Sequence, residues 1–380
     1  MMISTYSFVA ESVSNLKEEL SKAMDSIEFT PTLVFGFVSV YLPITKFMDV
    51  FKQQGLMLYG VSTGGEILFD QQRDSILTQA GVFVLTDLKP EVFNIHLVKR
   101  EEPTTFAFAQ RLGKQVVQTI DNPNLILSTG GLDMDGQDML NGMQSILGSE
   151  VKIFGGMAAD DEKFKQTFVF TESNITERGA LVLAFDRTKV ELTGMATSGW
   201  IGLGSEFIVN RSEGNVVYEI NQEPALDLYM DYLNVSEEDL PGIGLEYPFL
   251  LKKEGSEDVI RAVMQIDVEK RSLVFAGSVP EGSTVSFSTS PGFEIMENTR
   301  NRIMDFYRAN PKTDLMLLFS CVARHVALGP LISTEIKLAS LKWKVPLAGF
   351  FTFGEFGSNP GQISQFYNQT FTLALIRDIS

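Results

Sequence analysis

The pattern that best indicates the fold class lies near the C-terminus, in the segment Val345-Pro346-Leu347-Ala348-Gly349-Phe350-Phe351-Thr352-Phe353-Gly354-Glu355. It is an apolar run of strand length that ends in glycine and an acid. An earlier apolar run covers residues 315–321, and a helical pattern lies between the two runs at about residues 331–341. Short apolar runs that alternate with an amphipathic helix predict a strand–helix–strand unit.

Two earlier parts of the chain repeat this order. The first copy has apolar runs at 33–40 and 56–66, and the second has them at 125–131 and 151–161, each pair separated by a helical stretch. Because the runs are apolar at nearly every position, we expect strands that are buried on both faces. The sequence therefore predicts an α/β (mixed α+β) fold, with repeated strand–helix–strand units on largely parallel or mixed sheets.

The repeats also predict where a ligand binds. Right-handed crossovers bring corresponding strand ends to one edge of a sheet. In open α/β sheets that edge is where ligands bind. We therefore expect the three glycine-and-acid turns to gather at one rim.

Length and patterning predict two domains. A chain of 380 residues is long enough for two or three domains of about 150 residues each. The polar run 210–214 is followed by a new helical pattern at 224–233. We place the boundary between them, which gives domains of residues 1–215 and 216–380.

Composition excludes several functions. The net charge is -17 and the longest basic run is Lys252-Lys253, so we expect no nucleic-acid partner. No apolar stretch approaches the roughly 18 residues of a transmembrane helix, so we expect no direct membrane insertion. Residues 1–20 lack the pattern of a signal peptide, and a single cysteine suits a reducing compartment. These features predict a cytoplasmic protein.

The chain resembles the FIST proteins, which pair an N-terminal with a C-terminal FIST domain. The resemblance covers about residues 30–376, and two departures are Ala323 in place of an expected glycine and Asn221 in place of a frequent aspartate. Each motif is weak alone, but their order and spacing are specific. The segments that carry it are Tyr59–Glu66, Phe154–Asp161, Thr167–Phe170, Gly199–Trp200, Val217–Ala225, Phe319–Arg324, Pro346–Glu355 and Tyr367–Thr370.

The resemblance implies a bacterial sensory module for a small ligand such as an amino acid or a similar metabolite. It also implies signalling through a separate protein, such as a histidine kinase or a chemoreceptor. Some similar proteins are haem-based nitric oxide sensors that regulate a histidine kinase, and this is an alternative. We expect no cofactor on the first interpretation, whereas a haem would need His325 or His96 as its ligand.

Cys321, Arg324 and Glu355 form the first-choice ligand site, because each comes where an apolar run gives way to a loop. Arg324 could bind a carboxylate and Glu355 an ammonium group, so that the pair would recognise both charged groups of an amino acid. The structural alternative is a salt bridge between these two side chains. The same site is predicted to include Gly349, Thr352, Asn368 and Thr370.

A second pocket is predicted at Gly155, Gly156 and Asp160, because consecutive glycines let a ligand approach the backbone closely. The alternative is a tight strand exit with a solvated acid.

No metal site or catalytic group is predicted. Two histidines and one cysteine cannot form a zinc cage, and the segment that begins at Asp133 lacks the ligand spacing of a calcium loop. We expect that the protein is not an enzyme. An uncharacterised enzyme that uses Cys321 and Glu355 remains an alternative.

Overall fold

The computed structural model describes residues 2–161, 163–240, 242–253, 257–290, 292 and 294–380. Its first 86 residues form one repeat of the order strand, helix, strand, helix and four strands. The elements are β1 (Thr5–Ala10), α1 (Val13–Ser26), β2 (Leu33–Ser39), α2 (Ile44–Gln53), β3 (Met57–Thr63), β4 (Glu66–Phe69), β5 (Asp74–Leu77) and β6 (Gly81–Thr86).

The second repeat has the same order of elements, after a short 3-10 helix at Pro90–Val92. The elements are β7 (Phe93–Lys99), α3 (Thr105–Val117), β8 (Pro123–Gly130), α4 (Gly136–Leu147), β9 (Ile153–Met157), β10 (Val169–Phe170), β11 (Ile175–Thr176) and β12 (Gly179–Asp186).

The third repeat begins with β13 (Val190–Thr197) and is then interrupted by an insertion, residues 201–289. The insertion contains β14 (Ile201–Glu213), β15 (Val216–Ile220), β16 (Glu223–Pro224), α5 (Ala225–Leu233), a 3-10 helix (Glu237–Asp239), α6 (Gly242–Glu246), β17 (Phe249–Leu251), β18 (Val259–Arg261), β19 (Val263–Asp267), β20 (Ser272–Phe275) and β21 (Thr284–Thr289). The repeat resumes with α7 (Glu294–Ala309), β22 (Leu315–Cys321), α8 (Val322–Leu328), α9 (Leu331–Trp343), β23 (Leu347–Thr352), β24 (Glu355–Gly357), β25 (Gln365–Tyr367) and β26 (Phe371–Asp378).

Each repeat builds most of one six-stranded sheet and gives a hairpin to another. In the described part of the chain the orders are β1-β6-β2-β3-β10-β11 for sheet 1, β7-β12-β8-β9-β24-β25 for sheet 2 and β13-β26-β22-β23-β4-β5 for sheet 3. The last two strands of each sheet are the hairpin of a different repeat. Because the exchange is cyclic, no repeat can complete its sheet alone.

The three sheets stand around one central core. Alternate residues of each strand point into it, as Phe37 does from sheet 1, Leu183 from sheet 2 and Phe350 from sheet 3. The rings of Phe37 and Phe350 stack at 5.3 Å across this core. The opposite face of each sheet is covered by helices, which are α1 and α2, α3 and α4, or α7 to α9. Burial on both faces explains the unbroken apolar runs of the sequence.

The insertion forms a separate antiparallel layer with its own core, around Tyr229, Phe249 and Phe287. In the described residues it is an eight-stranded sheet in the order β18-β17-β21-β14-β15-β20-β19, with β16 beside β15. Its contacts with the three-repeat body include a hydrogen bond of 2.7 Å from Gln369 Nε2 to the Leu245 carbonyl.

The predicted fold class and the three strand–helix–strand copies are confirmed. Each main sheet is mixed, since it holds one parallel pair, β2–β3, β8–β9 or β22–β23, among antiparallel ones. The boundary that we predicted after residue 215 lies in the turn of the β14–β15 hairpin. Strand exchange also joins residues far on either side of it, because Glu66 of β4 pairs with Phe350 of β23. Every helix among the described residues is too short or too polar to span a lipid bilayer.

A glycine occupies the same place in the third strand of each repeat. In the parallel pairs, Gly60 lies opposite Gly36, Gly155 opposite Leu127 and Gly349 opposite Leu318. A Cβ atom at Gly349 would lie 1.9 Å from the Leu318 carbonyl oxygen, and one at Gly155 would lie 1.8 Å from that of Leu127. Gly155 and Gly349, which we predicted to contact a ligand, therefore allow neighbouring strands to approach each other closely.

We predict that Gly349→Ala lowers the free energy of unfolding by about 3 kcal/mol, because the sheet must move to admit a methyl group. Chemical denaturation measures the loss. Gly242→Ala is the matched control, since a Cβ there meets nothing within 4 Å. Equal stability of the two variants would contradict the packing role.

Candidate functional site

The three glycine-and-acid turns meet through backbone hydrogen bonds, as predicted. Gly64 N donates to the Phe351 carbonyl at 2.9 Å, Met157 N donates to that of Gly354 at 2.8 Å, and Ala159 N donates to that of Ser62 at 3.0 Å. Each bond joins two different repeats. The turns therefore form one rim at the end of the central core.

Glu355 is the first residue of β24 and lies entirely inside the protein. Its carboxyl group accepts hydrogen bonds from Thr352 Oγ1 and from Thr370, whose Oγ1 is 2.7 Å and whose backbone N is 3.2 Å away. The Cys321 thiol also hydrogen-bonds to it. Burial outweighs these donors and raises the pKa of Glu355 to about 7. The side chain therefore changes charge near neutral pH.

The first repeat contains a simpler version of this cluster. Glu66 accepts from Thr63 Oγ1 and from Ala80 N at 3.3 Å, and burial raises its pKa to about 8. Ala80 stands where the third repeat has Thr370, so Glu66 lacks the second hydroxyl donor. The negative charge of Asp161 raises the pKa of Glu66 further. In the second repeat the acid at this place is Asp161, which accepts from Ser39 Oγ at 2.7 Å.

In the described protein Arg324 forms no salt bridge with Glu355, so the structural alternative is wrong, and its guanidinium has other partners. Its guanidinium bonds to Glu335 on α9, with Nε 2.8 Å from Oε2 and Nη2 2.5 Å from Oε1. Nη1 donates to the carbonyls of Ser198 and Gln369, and Nη2 also donates to Thr299 Oγ1. All five N–H groups of Arg324 are therefore used within the protein, and none remains for a ligand carboxylate.

The other predicted site residues divide into two groups. Gly155 and Gly156 lie within β9 and Gly349 within β23, while Asp160 accepts backbone N–H groups from Phe164, Lys165 and Gln166 and so shapes the loop after β9. By contrast, Thr352, Asn368, Thr370 and Cys321 gather around Glu355. Asn368 is buried, and among the described residues neither its Oδ1 nor its Nδ2 has a hydrogen-bond partner.

A polar cleft of about 180 Å³ opens beside this cluster, between the body and the insertion. Arg302 of α7 and Glu257 of the insertion form an ion pair of 2.6 Å in its wall, and Asn359 Nδ2 donates to Glu257 at 2.7 Å. Sequence reasoning missed these residues, because an arginine on a polar helix face and an acid in a loop carry no motif. The cleft is lined by Ala196, Thr197, Ser198, Gly199, Glu257, Asp258, Ile260, Arg302, Tyr367 and Thr370.

A second cavity, of about 400 Å³, also lies between the body and the insertion. Its walls include Met157 and Phe353 from the rim, Met264 and Phe275 from the insertion, and Phe164, whose ring stacks on Phe353 at 4.7 Å. The interface between body and insertion therefore contains more than one hollow.

The family is decided by two domain matches. The FIST N domain matches residues 32–223 and the FIST C domain matches residues 225–358. The chain belongs to the FIST family. FIST domains are signal-transduction sensor domains, so the predicted resemblance is confirmed at this level. The two matches meet just before α5, and both include strands of the exchanged sheets.

This FIST protein was also compared with curated proteins and with solved structures. No curated protein matches the chain. Among solved structures, the crystal structure of a cyanuric acid hydrolase from A. caulinodans is similar over 100% of this chain and 99% of that chain, at 6% sequence identity and with a TM-score of 0.36.

The surroundings of the two histidines of the FIST protein do not fit haem. His96 lies on β7, hydrogen-bonds Thr119 Oγ1 at 3.0 Å, and lines a groove whose described walls contain the acid Glu172 and neither lysine nor arginine. The carboxylate of Glu172 would repel the anionic propionates of haem. The ring of His325 stacks on Phe351 at 4.2 Å. No cluster of three or more potential metal ligands occurs in the described ranges.

We predict that Arg324→Met destabilises the protein by about 3–5 kcal/mol, because Glu335 is then buried without its partner. The double variant Arg324→Met/Glu335→Leu should lose less than the single variant. Thermal and chemical unfolding measure both. Losses that simply add would show that the two side chains are not coupled.

We predict that stability falls as pH rises through the titration of Glu355. The folded-state pKa of about 7 lies above the ordinary value of 4.5, so the contribution of the neutral form is complete below pH 4.5 and is lost as pH rises to about 7. The loss is on the order of 3 kcal/mol. Glu355→Gln should remove this part of the slope in urea titrations between pH 4.5 and 8. The exposed Glu28→Gln should keep it, and an unchanged slope in Glu355→Gln would contradict the assignment.

Proposed function

We propose that this FIST protein senses a small, amino-acid-like metabolite in the cytoplasm and signals through a separate partner protein, such as a histidine kinase or a chemoreceptor. The ligand binds in the polar cleft between the body and the insertion. One observation carries the proposal: the cleft wall holds a charge pair, Arg302 and Glu257, that matches the two charges of an amino acid.

The charge pair supports recognition from both ends of the ligand. The guanidinium of Arg302 can take the ligand carboxylate with two parallel hydrogen bonds. Glu257 and its neighbour Asp258 can then accept the ammonium group. The side chains of Arg302 and Glu257 are 44% and 41% exposed, so they are free to part from each other when a ligand enters. An exposed pair of this kind contributes at most about 1 kcal/mol, so exchange costs little.

A polar group in the wall of the cleft supports the same assignment. The Tyr367 hydroxyl lines the cleft, is buried and has no hydrogen-bond partner among the described residues. Buried polar groups are nearly always hydrogen-bonded. Thr370 links the cleft to Glu355, because it lines the cleft and donates to that carboxyl group.

The position of the cleft explains how binding is read out. Arg302 and Tyr367 belong to the body, whereas Glu257 and Asp258 belong to the insertion. A ligand that holds both sides favours one arrangement of insertion and body over others. That difference in affinity is the free energy available for signalling, and about 1–3 kcal/mol suffices for a modest switch.

The chemistry of Cys321 favours a binding protein over an enzyme. Burial raises the pKa of its thiol, and the nearby Glu355 carboxyl raises it further. A nucleophilic cysteine needs the thiolate. At neutral pH Cys321 is a protonated thiol that hydrogen-bonds to Glu355.

We predict that one of a panel of twenty amino acids and their decarboxylated and deaminated analogues raises the melting temperature. At a ligand concentration of about 100 times Kd the stabilisation is about 2.7 kcal/mol. Arg302→Gln should lower affinity for the carboxylate, and Glu257→Gln should lower it for the ammonium group. Calorimetry and thermal shift measure both effects.

The control is Arg308→Gln, which lies on the same helix α7 and pairs with Asp305 at the surface. It should bind the ligand as the natural protein does. A ligand whose affinity is unchanged by both cleft variants would place the sensor site elsewhere.

A further inference from the structure

Strand β7 is an open edge of sheet 2. It pairs along its whole length with β12, from Phe93 opposite Phe185 to Lys99 opposite Gly179. Within the part of the chain that the structure describes, no strand pairs with its other side. An open edge presents unpaired N–H and C=O groups on which another strand can pair.

The internal repeat provides a comparison for this edge. The first strand of each repeat lies beside the exchanged hairpin at the end of a different sheet. Ser7 Oγ of β1 donates to Asp70 after β4 at 2.6 Å, and Ala196 N of β13 donates to Asn359 after β24 at 3.0 Å. Among the described residues, no hydrogen bond joins β7 to residues 171–174, the equivalent turn after β10.

The space between β7 and residues 171–174 is instead a groove of about 560 Å³, which we call the β7 groove. Part of its surface, which we call its floor, is apolar, because Ile95 and Leu97 pack on the central core while remaining partly exposed. Its rim is polar. The groove is lined by Met57, Pro90, Phe93, Asn94, Ile95, His96, Leu97, Val98, Gln115, Thr171, Glu172 and Asn174.

The pattern of the groove indicates the form of its occupant. A strand added to β7 would place alternate side chains on the apolar floor and the others towards the rim and solvent. The seven residues of β7 allow a matching segment of about seven residues. An extended peptide that adds to a sheet edge gains main-chain hydrogen bonds, and pockets for alternate side chains give it specificity.

Charge indicates the chemistry of the occupant. Glu172 lies at the rim, and burial lowers the pKa of His96, so that this histidine is neutral at pH 7. The whole chain carries a net charge of -17. A second copy of the chain is repelled by this charge, whereas a basic segment is attracted.

We propose that the β7 groove is a docking site for an extended, positively charged segment of a partner protein, which adds to sheet 2 as a further strand. The site would receive the partner that the proposed function requires. Its test needs no small ligand, so a failure here is distinguishable from a failure of the sensor cleft.

The test selects ligands from a library of seven-residue linear peptides displayed against the full-length protein. We expect enriched peptides with apolar residues at alternate positions and lysine or arginine between them. Hydrogen–deuterium exchange with the synthetic peptide should show added protection at residues 93–99. Replacing alternate backbone N–H groups of the peptide by N-methyl groups should weaken binding at least tenfold, because each replacement removes a main-chain hydrogen bond to β7.

Two variants and two controls localise the site. Asn94→Lys and Glu172→Gln should each weaken the basic peptide severalfold. Thr5→Lys, which puts the same charge on the equivalent edge strand β1, and the exposed Glu213→Gln should leave binding unchanged. The proposal is overturned by enrichment of no peptide, by protection at another edge, or by a concentration-dependent dimer that Asn94→Lys abolishes, since a second copy would then occupy the groove.

Discussion

The structure depends on the exchange of hairpins between repeats. Without the hairpin of another repeat, the three sheets would end at β3, β9 and β23, and backbone groups of these strands would then be buried without partners. Glu66 opposite Phe350 and Glu355 opposite Gly156 show two of these joints. Buried N–H and C=O groups are costly to leave unpaired, so the three repeats must fold as one body.

The same exchange accounts for the position of the buried acids. The hairpin starts where the chain leaves one sheet for the next, and Glu66 and Glu355 are the first residues of these hairpins. Each acid is therefore enclosed by two sheets at the common rim. Burial there raises the pKa of both carboxyl groups towards neutrality. The third repeat adds Cys321 and Thr370 to this arrangement, and it is the repeat whose first strand is followed by the insertion.

The insertion interrupts the third repeat and makes that repeat different from the first two. The body residues that line the polar cleft all come from the third repeat, whereas the cavity of about 400 Å³ is also lined by Gly131 and Met157 of the second repeat. The charge pair of Arg302 and Glu257 spans the boundary between body and insertion. The β7 groove lies at another corner, in a repeat that has no insertion. A small ligand and a partner segment can thus bind at separate places on one continuous set of sheets.

The fold class, the three copies and the meeting of their turns can all be predicted from the residue pattern, because burial on both faces leaves unbroken apolar runs at Leu33–Ser39 and Leu315–Cys321. The pattern also identifies Glu355, Thr352, Thr370 and Asn368 as neighbours. The partner of each charged side chain is known from the folded structure alone. Arg324 bonds to Glu335 and Arg302 to Glu257 because pairing of charges depends on distances across helices and an inserted layer, and local sequence pattern carries no record of those distances.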